Sequence, residues 1–423
     1  MKLAHSIKFL LAGTAIVVAG FAAANAIGNV SRVRNPVLAA MVAPTDGRVL
    51  ANLSDAKVQA RLAKNRPGEE PPPLAAEARE ALRLEPLNSI ALRLLALDYE
   101  RRDRIASTRK LIGLSEAVSR RDGATQLWLI MDSAKRRDVN AFVRHADILL
   151  RTQPEAGPTI APILNQAMED PAFRQAMLPY VRKKSPWIPN YLNFASTNAR
   201  RPDAFSKLMR ASGGVPDGPA RQETETNLLR RLVDLGLPDE ALSFFPLMKG
   251  SQARIVDTLI FSRASTDPKF APIAWEALSP NATVATFDEE RGNRFSLNVV
   301  ASSGERGIVA RKMLSLKPGS YRFFQNVAMA TAGDRYPFAG WRLRCVDAEA
   351  SQPIWRSTGD WQPVGKRWSA GPTVPASCPV QMLEFEVSGG LAGEGIELSI
   401  ASVELQRTGA AAHPTASRSG TGR

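Results

Sequence analysis

Histidine is almost missing from this chain: His5, His145 and His413 are the three copies in 423 residues. His5 precedes an apolar N-terminal run and His413 falls in a small, polar terminal stretch, so His145 in "AFVRHADILL" stands alone. That excludes a Ser-His-Asp triad with a well-placed imidazole, a multi-histidine zinc site and an HExxH motif. Cysteine is equally sparse. Cys345 and Cys378 are the only two, too few for a four-thiolate zinc site. No metal site and no cofactor are expected. Apolar and charged fractions of 44% and 23% are those of a globular chain, not of a disordered or multi-span one. Carboxylate-only chemistry survives these absences.

The long apolar run that does occur is at the start. Lys2 and Lys8 form a basic region, Phe9 to Phe21 is apolar, and Ala24-Asn25-Ala26 fits a small-x-small cleavage site. The run from Phe9 to Ala24, about 16 residues, slightly exceeds an ordinary signal-peptide core. Residues 1–28 are therefore expected to act as a retained inner-membrane anchor, the alternative being a cleaved signal peptide. Arg32 and Arg34 follow, so positive charge on both flanks leaves orientation open. Either form exports the bulk of the chain to a bacterial periplasm.

The net charge of +14 is unevenly spread. From Asp98 to Arg210 there are 20 Lys/Arg against 12 Asp/Glu; from Thr283 to Arg407 the balance is 14 to 13. A basic surface usually meets nucleic acid, but an exported protein does not, and no nucleic-acid partner is expected. The pieces "YERRDR", "SRRD", "AKRRD" and "VRKK" fall where helices end, where the backbone dipole favours cations.

Helix restarts recur. "PTDGRVLANL" from Pro44 and "PLNSIALRLL" from Pro86 share Pro-x-Asp/Asn, a helix stop and cap, then leucine at the seventh and tenth positions. Leu92, Leu95, Ala96 and Tyr99 fall on one helical face. Pro154 follows Pro86 by 68 residues, twice the 34-residue tetratricopeptide period. In "VDLGLPDEALSFF", Gly236 ends a helix, Pro238 starts another, and Ala241 and Phe245 face inward. These stretches resemble degenerate tetratricopeptide repeats, and "LSEAVSRRDGATQLWLIMDSAKRRDVNAFVRHADILLRTQPEA" resembles repeat proteins of bacterial envelope and exopolysaccharide systems. The resemblance implies an α-solenoid over 29–279, with residues 65–73 as a loop.

Past Ser279 the texture changes to short alternating runs: "ATVATF", "RFSLNVV", "GIVARKML", "SYRFFQNVAM", "GWRLRCV", "QPIWRS", "QMLEFEV" and "GIELSIASVEL". About eight strands make an antiparallel, jelly-roll-like β-sandwich over 280–407, and residues 408–423 read as a disordered tail. In outline this resembles the β-sandwich modules that bind carbohydrate. The fold class is thus multidomain α plus β: membrane helix, repeat solenoid, sandwich.

Cys345 and Cys378, in one domain of an exported protein, are expected to pair. Trp341 shares an inward strand phase with Leu343 and reads as core. Trp361 in "TGDWQPVG" and Trp368 in "GKRWSAG" lie in turn-rich segments; with Asp360, Lys366 and Arg367 beside them they are the candidate sugar-contacting residues. Glu384 and Glu386 flank Phe385 and are expected on the solvent side, and Asp288-Glu289-Glu290 in a solvated loop. Nothing in this pattern marks a raised-pKa acid, so catalysis is not expected. The expectation is a membrane-anchored periplasmic scaffold that engages envelope proteins through its solenoid and an extracellular polysaccharide through its sandwich. A carboxylate-dependent polysaccharide enzyme and a purely protein-binding adaptor are the alternatives.

Overall fold

The computed structural model describes residues 19–20, 22–64, 75–290, 294–332, 338–346, 352–357, 364–390 and 395–408. The anchor segment up to residue 18, the expected loop 65–73 and the tail from 409 lie outside them. Among the described residues no helix is long and apolar enough to cross a membrane. The chain divides into two compact units, Met1–Ile160 and Ala161–Arg423.

The first unit is helical: α1 (Pro36–Val42), α2 (Gly47–Lys64), α3 (Ala75–Leu84), α4 (Ser89–Arg101), α5 (Ile105–Val118), α6 (Gly123–Lys135) and α7 (Val139–Thr152). The sequence cues explain the starts. Asp46 accepts from the Arg48 and Val49 amides at 2.7 and 3.2 Å, and Asn88 accepts from that of Ala91 at 3.0 Å. Each satisfies amides that the first turn leaves without a partner. Asn88 also donates to the Gly47 carbonyl at 3.1 Å, tying the start of α4 to that of α2. On α4, Leu92, Leu95 and Ala96 are buried, and Tyr99 packs on the apolar cluster that holds Leu95. The basic pieces are partly spent on acids: Arg101 and Arg102 reach Asp98 at 3.1 and 2.9 Å, while Arg109 and Arg136 converge on Asp132, each at 2.9 Å.

The second unit takes in most of α8 (Gly157–Ala167), then α9 (Pro171–Arg182), α10 (Ile188–Asn198), α11 (Pro202–Ser212), α12 (Arg221–Asp234), α13 (Pro238–Phe244) and the short α14 (Arg254–Asp257). Gly236 takes φ 69° between α12 and α13, the left-handed conformation that ends a helix at low cost for glycine. Ala241 and Phe245 are buried as their spacing predicts.

Ten strands follow: β1 (Glu276–Ala277), β2 (Thr283–Glu290), β3 (Arg294–Ala301), β4 (Arg306–Leu314), β5 (Gly319–Ala332), β6 (Phe338–Cys345), β7 (Trp355–Arg356), β8 (Gly365–Val374), β9 (Gln381–Ser388) and β10 (Ile396–Arg407). They form two antiparallel five-stranded sheets, β1-β4-β9-β6-β7 and β2-β3-β10-β5-β8. Between them lies one apolar core that includes Leu297, Val299, Phe323, Trp341, Leu383 and Phe385. Leu259, Phe261 and Trp275 belong to the same core although they precede Ser279; the Trp275 indole donates to the Leu259 carbonyl at 3.2 Å. Pro318-Gly319 does turn the chain between strands, but β4 and β5 lie in opposite sheets, so it is a crossing and not a hairpin.

Cys345 at the end of β6 and Cys378 in the turn before β9 form the disulfide, with Cα atoms 5.5 Å apart. Cys378 escapes the strand phase because it precedes the strand. Two strands carried no sequence signal, β1 because it is two residues long and β8 because Gly371 and Pro372 interrupt its alternation. Asp288-Glu289-Glu290 is the end of β2, paired with Ser296-Phe295-Arg294, and not a loop.

Inside the sandwich, Lys312 on β4 is fully buried. Its ammonium donates to the carbonyls of Ile255 and Ile273 at 2.7 and 2.5 Å. Burial pushes its pKa down to about 7, partly offset by the charge of Asp257.

Candidate functional site

β10 has to serve two neighbours, and it cannot follow both along its length. From Ile396 to Ile400 it pairs with Ala301–Leu297 of β3. Irregularities then interrupt its register with β5 on both sides of Ile400, and pairing with β5 continues to Arg407. Extra residues of this kind bend a strand and raise its twist. Beyond Ile400, β10 keeps β5 and loses β3. The divergence opens a cleft of about 590 Å³, a volume typical of small-ligand pockets, roughly 300–1,000 Å³.

The walls have two characters. Leu259, Phe261, Phe295, Val403 and Leu405 supply apolar surface, and Glu290, Arg294, Asn326, Ser402 and Glu404 supply polar groups. Ile260, which also lines the cleft, is 69% exposed. Asn326 lies opposite Ser402, and Phe324 opposite Glu404, in the β5–β10 register. On its other side Phe324 lies opposite Trp368 of β8, and Asn326 opposite Lys366. Directly opposed residues share a face, so the polar wall of the cleft continues across β5 onto Phe324, Trp368 and Lys366.

Trp368 is 38% exposed. Its ring lies 5.0 Å from that of Phe324, tilted by 48°, and the Arg322 guanidinium sits 4.8 Å from its centroid. Adjacent strands are spaced about 4.8 Å apart, which puts Trp368 about 10 Å from the Glu404 backbone. Such a surface sets an aromatic pair beside carboxylate, amide and hydroxyl groups, so it can offer stacking and hydrogen bonding together.

Of the residues singled out by sequence, Trp368 and Arg367 both sit on β8, a strand and not the turn-rich segment expected. Strand alternation turns Arg367 to the face opposite Trp368 and leaves Lys366 beside it. Trp361 and Asp360 lie outside the described residues. Trp341 is core, and its indole donates to Gln325 at 3.1 Å. Phe324 and Asn326 were not singled out. Alternation in "SYRFFQNVAM" puts Arg322, Phe324 and Asn326 on one face, but only the register shows what that face meets.

The carboxylates expected in solvent behave differently. Glu384 and Glu386 do point away from the core, yet both are buried. Arg342 and Arg344 hold Glu384 at 2.6 and 3.1 Å. Arg306 and Arg356 hold Glu386 at 2.8 and 3.4 Å. Both carboxylates are thus engaged by arginine side chains on the outer face of β9. His145 is 2% exposed, with Nδ1 2.9 Å from the Gln126 amide oxygen and 3.5 Å from Glu116; burial lowers its pKa. Among the described residues no group of three or more His, Cys, Asp or Glu could hold a metal ion.

No protein-family model matches this chain, and no curated protein matches it. Among solved structures it is similar to TmCBM61 in complex with β-1,4-galactotriose, at 11% identity and TM-score 0.22, over 31% of this chain and 88% of that one. It is also similar to a CBM4 structure, at 10% identity and TM-score 0.22, over 32% and 88%. A third is a structure of carbohydrate-binding modules from the β-sandwich superfamily, at 15% identity and TM-score 0.25, over 36% of this chain and 62% of that one. At these scores the likenesses carry no conclusion about what this chain binds.

Proposed function

We propose that the C-terminal sandwich is a non-catalytic glycan-binding module, carried by an exported, membrane-anchored chain whose helical part engages other envelope proteins. The observation that carries the glycan reading is the cleft between β3 and β10, with its apolar floor, its polar rim, and an exposed tryptophan on the same sheet face. Aromatic planes gain from stacking on the C–H face of a sugar, and convergent polar groups select hydroxyl patterns. Both oxygens of Glu384 and of Glu386 are taken up by arginines rather than presented to a ligand, which supports binding over hydrolysis.

The scaffold reading is supported by helix spacing: α4, α6 and α8 begin at Ser89, Gly123 and Gly157, so both intervals (123 − 89 and 157 − 123) are 34 residues. Stacked helix pairs present extended binding surfaces. The anchor reading rests on the apolar run from Phe9 to Ala24.

The test is calorimetric titration of the full chain against a panel of neutral and acidic oligosaccharides, with Trp368→Ala and Asn326→Ala alongside. A bound glycan whose affinity falls about tenfold in each variant, roughly 1.4 kcal/mol, is the expected result. No binding across the panel would overturn the glycan reading in favour of the adaptor. Turnover that vanishes in Glu404→Gln would replace it by an enzyme.

A further inference from the structure

The two outer faces of the sandwich differ in chemistry. On β2, β3, β5 and β8 the large exposed apolar side chains are Val284, Val300, Met329 and Trp368. Among the described residues of β1, β4, β6, β7 and β9 there is none. That second face carries an array of arginines. Arg342 and Arg344 project from β6, Arg356 from β7 and Arg306 from the start of β4, all around the two glutamates of β9.

The array hides its acids and shows its cations. The side chains of Glu384 and Glu386 are 3% and 9% exposed, whereas those of Arg306 and Arg356 are 65% and 51%. Both oxygens of each glutamate face a guanidinium: in Glu384, Oε2 faces Arg342 and Oε1 faces Arg344. In Glu386, Oε1 faces Arg306 and Oε2 faces Arg356, with Arg342 at 3.6 Å. A guanidinium has five N–H donors in a fixed fork. Each of these four spends one or two on a glutamate, and the remaining donors are held in place by a carboxylate that does not itself reach solvent. Four cations against two acids leave an excess of two positive charges here. The neighbouring β1 edge, where Arg230 and Arg311 meet Glu276 and Asp234, is balanced. Glu305 stands just before β4.

We propose that this face is a second binding surface, separate from the cleft, and that its ligand is a carboxylated polysaccharide. Fixed guanidiniums and carboxylates form charge-assisted pairs, often bidentate, and a flat strand array presents them in rows. Insertion into a bilayer draws on apolar side chains, and single-stranded nucleic acid gains most from exposed aromatic rings to stack on. Among its described residues the face offers neither.

The experiment is affinity electrophoresis of the full chain in gels containing polygalacturonate, and in gels containing the same polymer with its carboxyl groups reduced. Retardation by the acidic polymer, at least about tenfold weaker for the reduced one, is expected. Arg306→Gln with Arg356→Gln should weaken it about tenfold, and the double lysine variant should recover part of the loss. Trp368→Ala, and Arg120→Gln with Arg121→Gln in the first unit, should leave it unchanged. An unaltered unfolding midpoint shows that the glutamine variant is folded. Equal retardation by the reduced polymer overturns the proposal. So does an unaffected double glutamine variant, or an equal loss in the Arg120/Arg121 variant, which would mark general charge attraction. Equally tight binding of duplex DNA or of anionic phospholipid vesicles assigns the face to a different partner.

Discussion

Replacing Lys312 by methionine removes a buried charge from the sandwich and should change how stability depends on pH. The side chain is fully buried, and its pKa falls from 10.5 to about 7. Each pKa unit corresponds to about 1.4 kcal/mol, so keeping Lys312 charged in the fold costs about 4–5 kcal/mol relative to the unfolded chain. The sign follows from proton binding. Between pH 7 and 10.5 the unfolded chain holds a proton that the folded one has released, so the free energy of unfolding rises with pH across that window. The slope reaches about 1.4 kcal/mol per pH unit. Below about pH 7 the full cost is present, and above 10.5 it is relieved.

Methionine fills a similar space without a charge, but it leaves the Ile255 and Ile273 carbonyls without their donor. Each such loss costs about 1–3 kcal/mol, so the absolute stability at neutral pH is a poor readout and the slope is the clean one. Urea unfolding followed by tryptophan fluorescence suits the question, because Trp128 is the only tryptophan before Ala161 and the other six report on the second unit. Burial also pushes the Tyr191 phenol upward, which lowers stability in strong alkali, but it does so in both proteins and cancels in the difference. The expected result is a rising curve for the native chain and a flatter one for Lys312→Met. Parallel curves from pH 7 to 10 would refute the assignment of a buried, readily deprotonated lysine.

Reducing the Cys345–Cys378 disulfide, or replacing both cysteines by alanine, should destabilise the second unit by about 3–4 kcal/mol in the chain-entropy model, for a separation of 33 residues. Urea titration with and without reductant measures it. Asp203 is held at a pKa of about 2, chiefly by its hydrogen bond to Arg201 and then by Lys207. Its contribution is present above pH 3.8 and is lost as pH falls toward 2. Asp203→Asn should therefore show a shallower acid limb in circular dichroism over that interval.

Much of the architecture was legible because local signals agree with the tertiary outcome. Asp46 and Asn88 cap the helices their positions announce, Gly236 stops one, and Trp341, Leu343 and Phe385 alternate into the core. The disulfide was expected from two cysteines in one domain. What escaped notice depended on partners remote in sequence. Strand β8 is held by pairing with β5 rather than by its own alternation, so Trp368 read as a turn residue. Glu384 and Glu386 have the outward phase of surface acids, and only the approach of β4, β6 and β7 shows that arginines bury them. The cleft is a property of where β10 leaves β3, and no stretch of either strand encodes that by itself.

Saturation-transfer difference NMR on the full chain, with whichever oligosaccharide binds most tightly, tests the proposed glycan site most directly. Saturation should concentrate on the ring C–H protons of one sugar face and collapse in Trp368→Ala while the protein stays folded. Uniform weak saturation that Trp368→Ala leaves unchanged would contradict a sugar site on this sheet face.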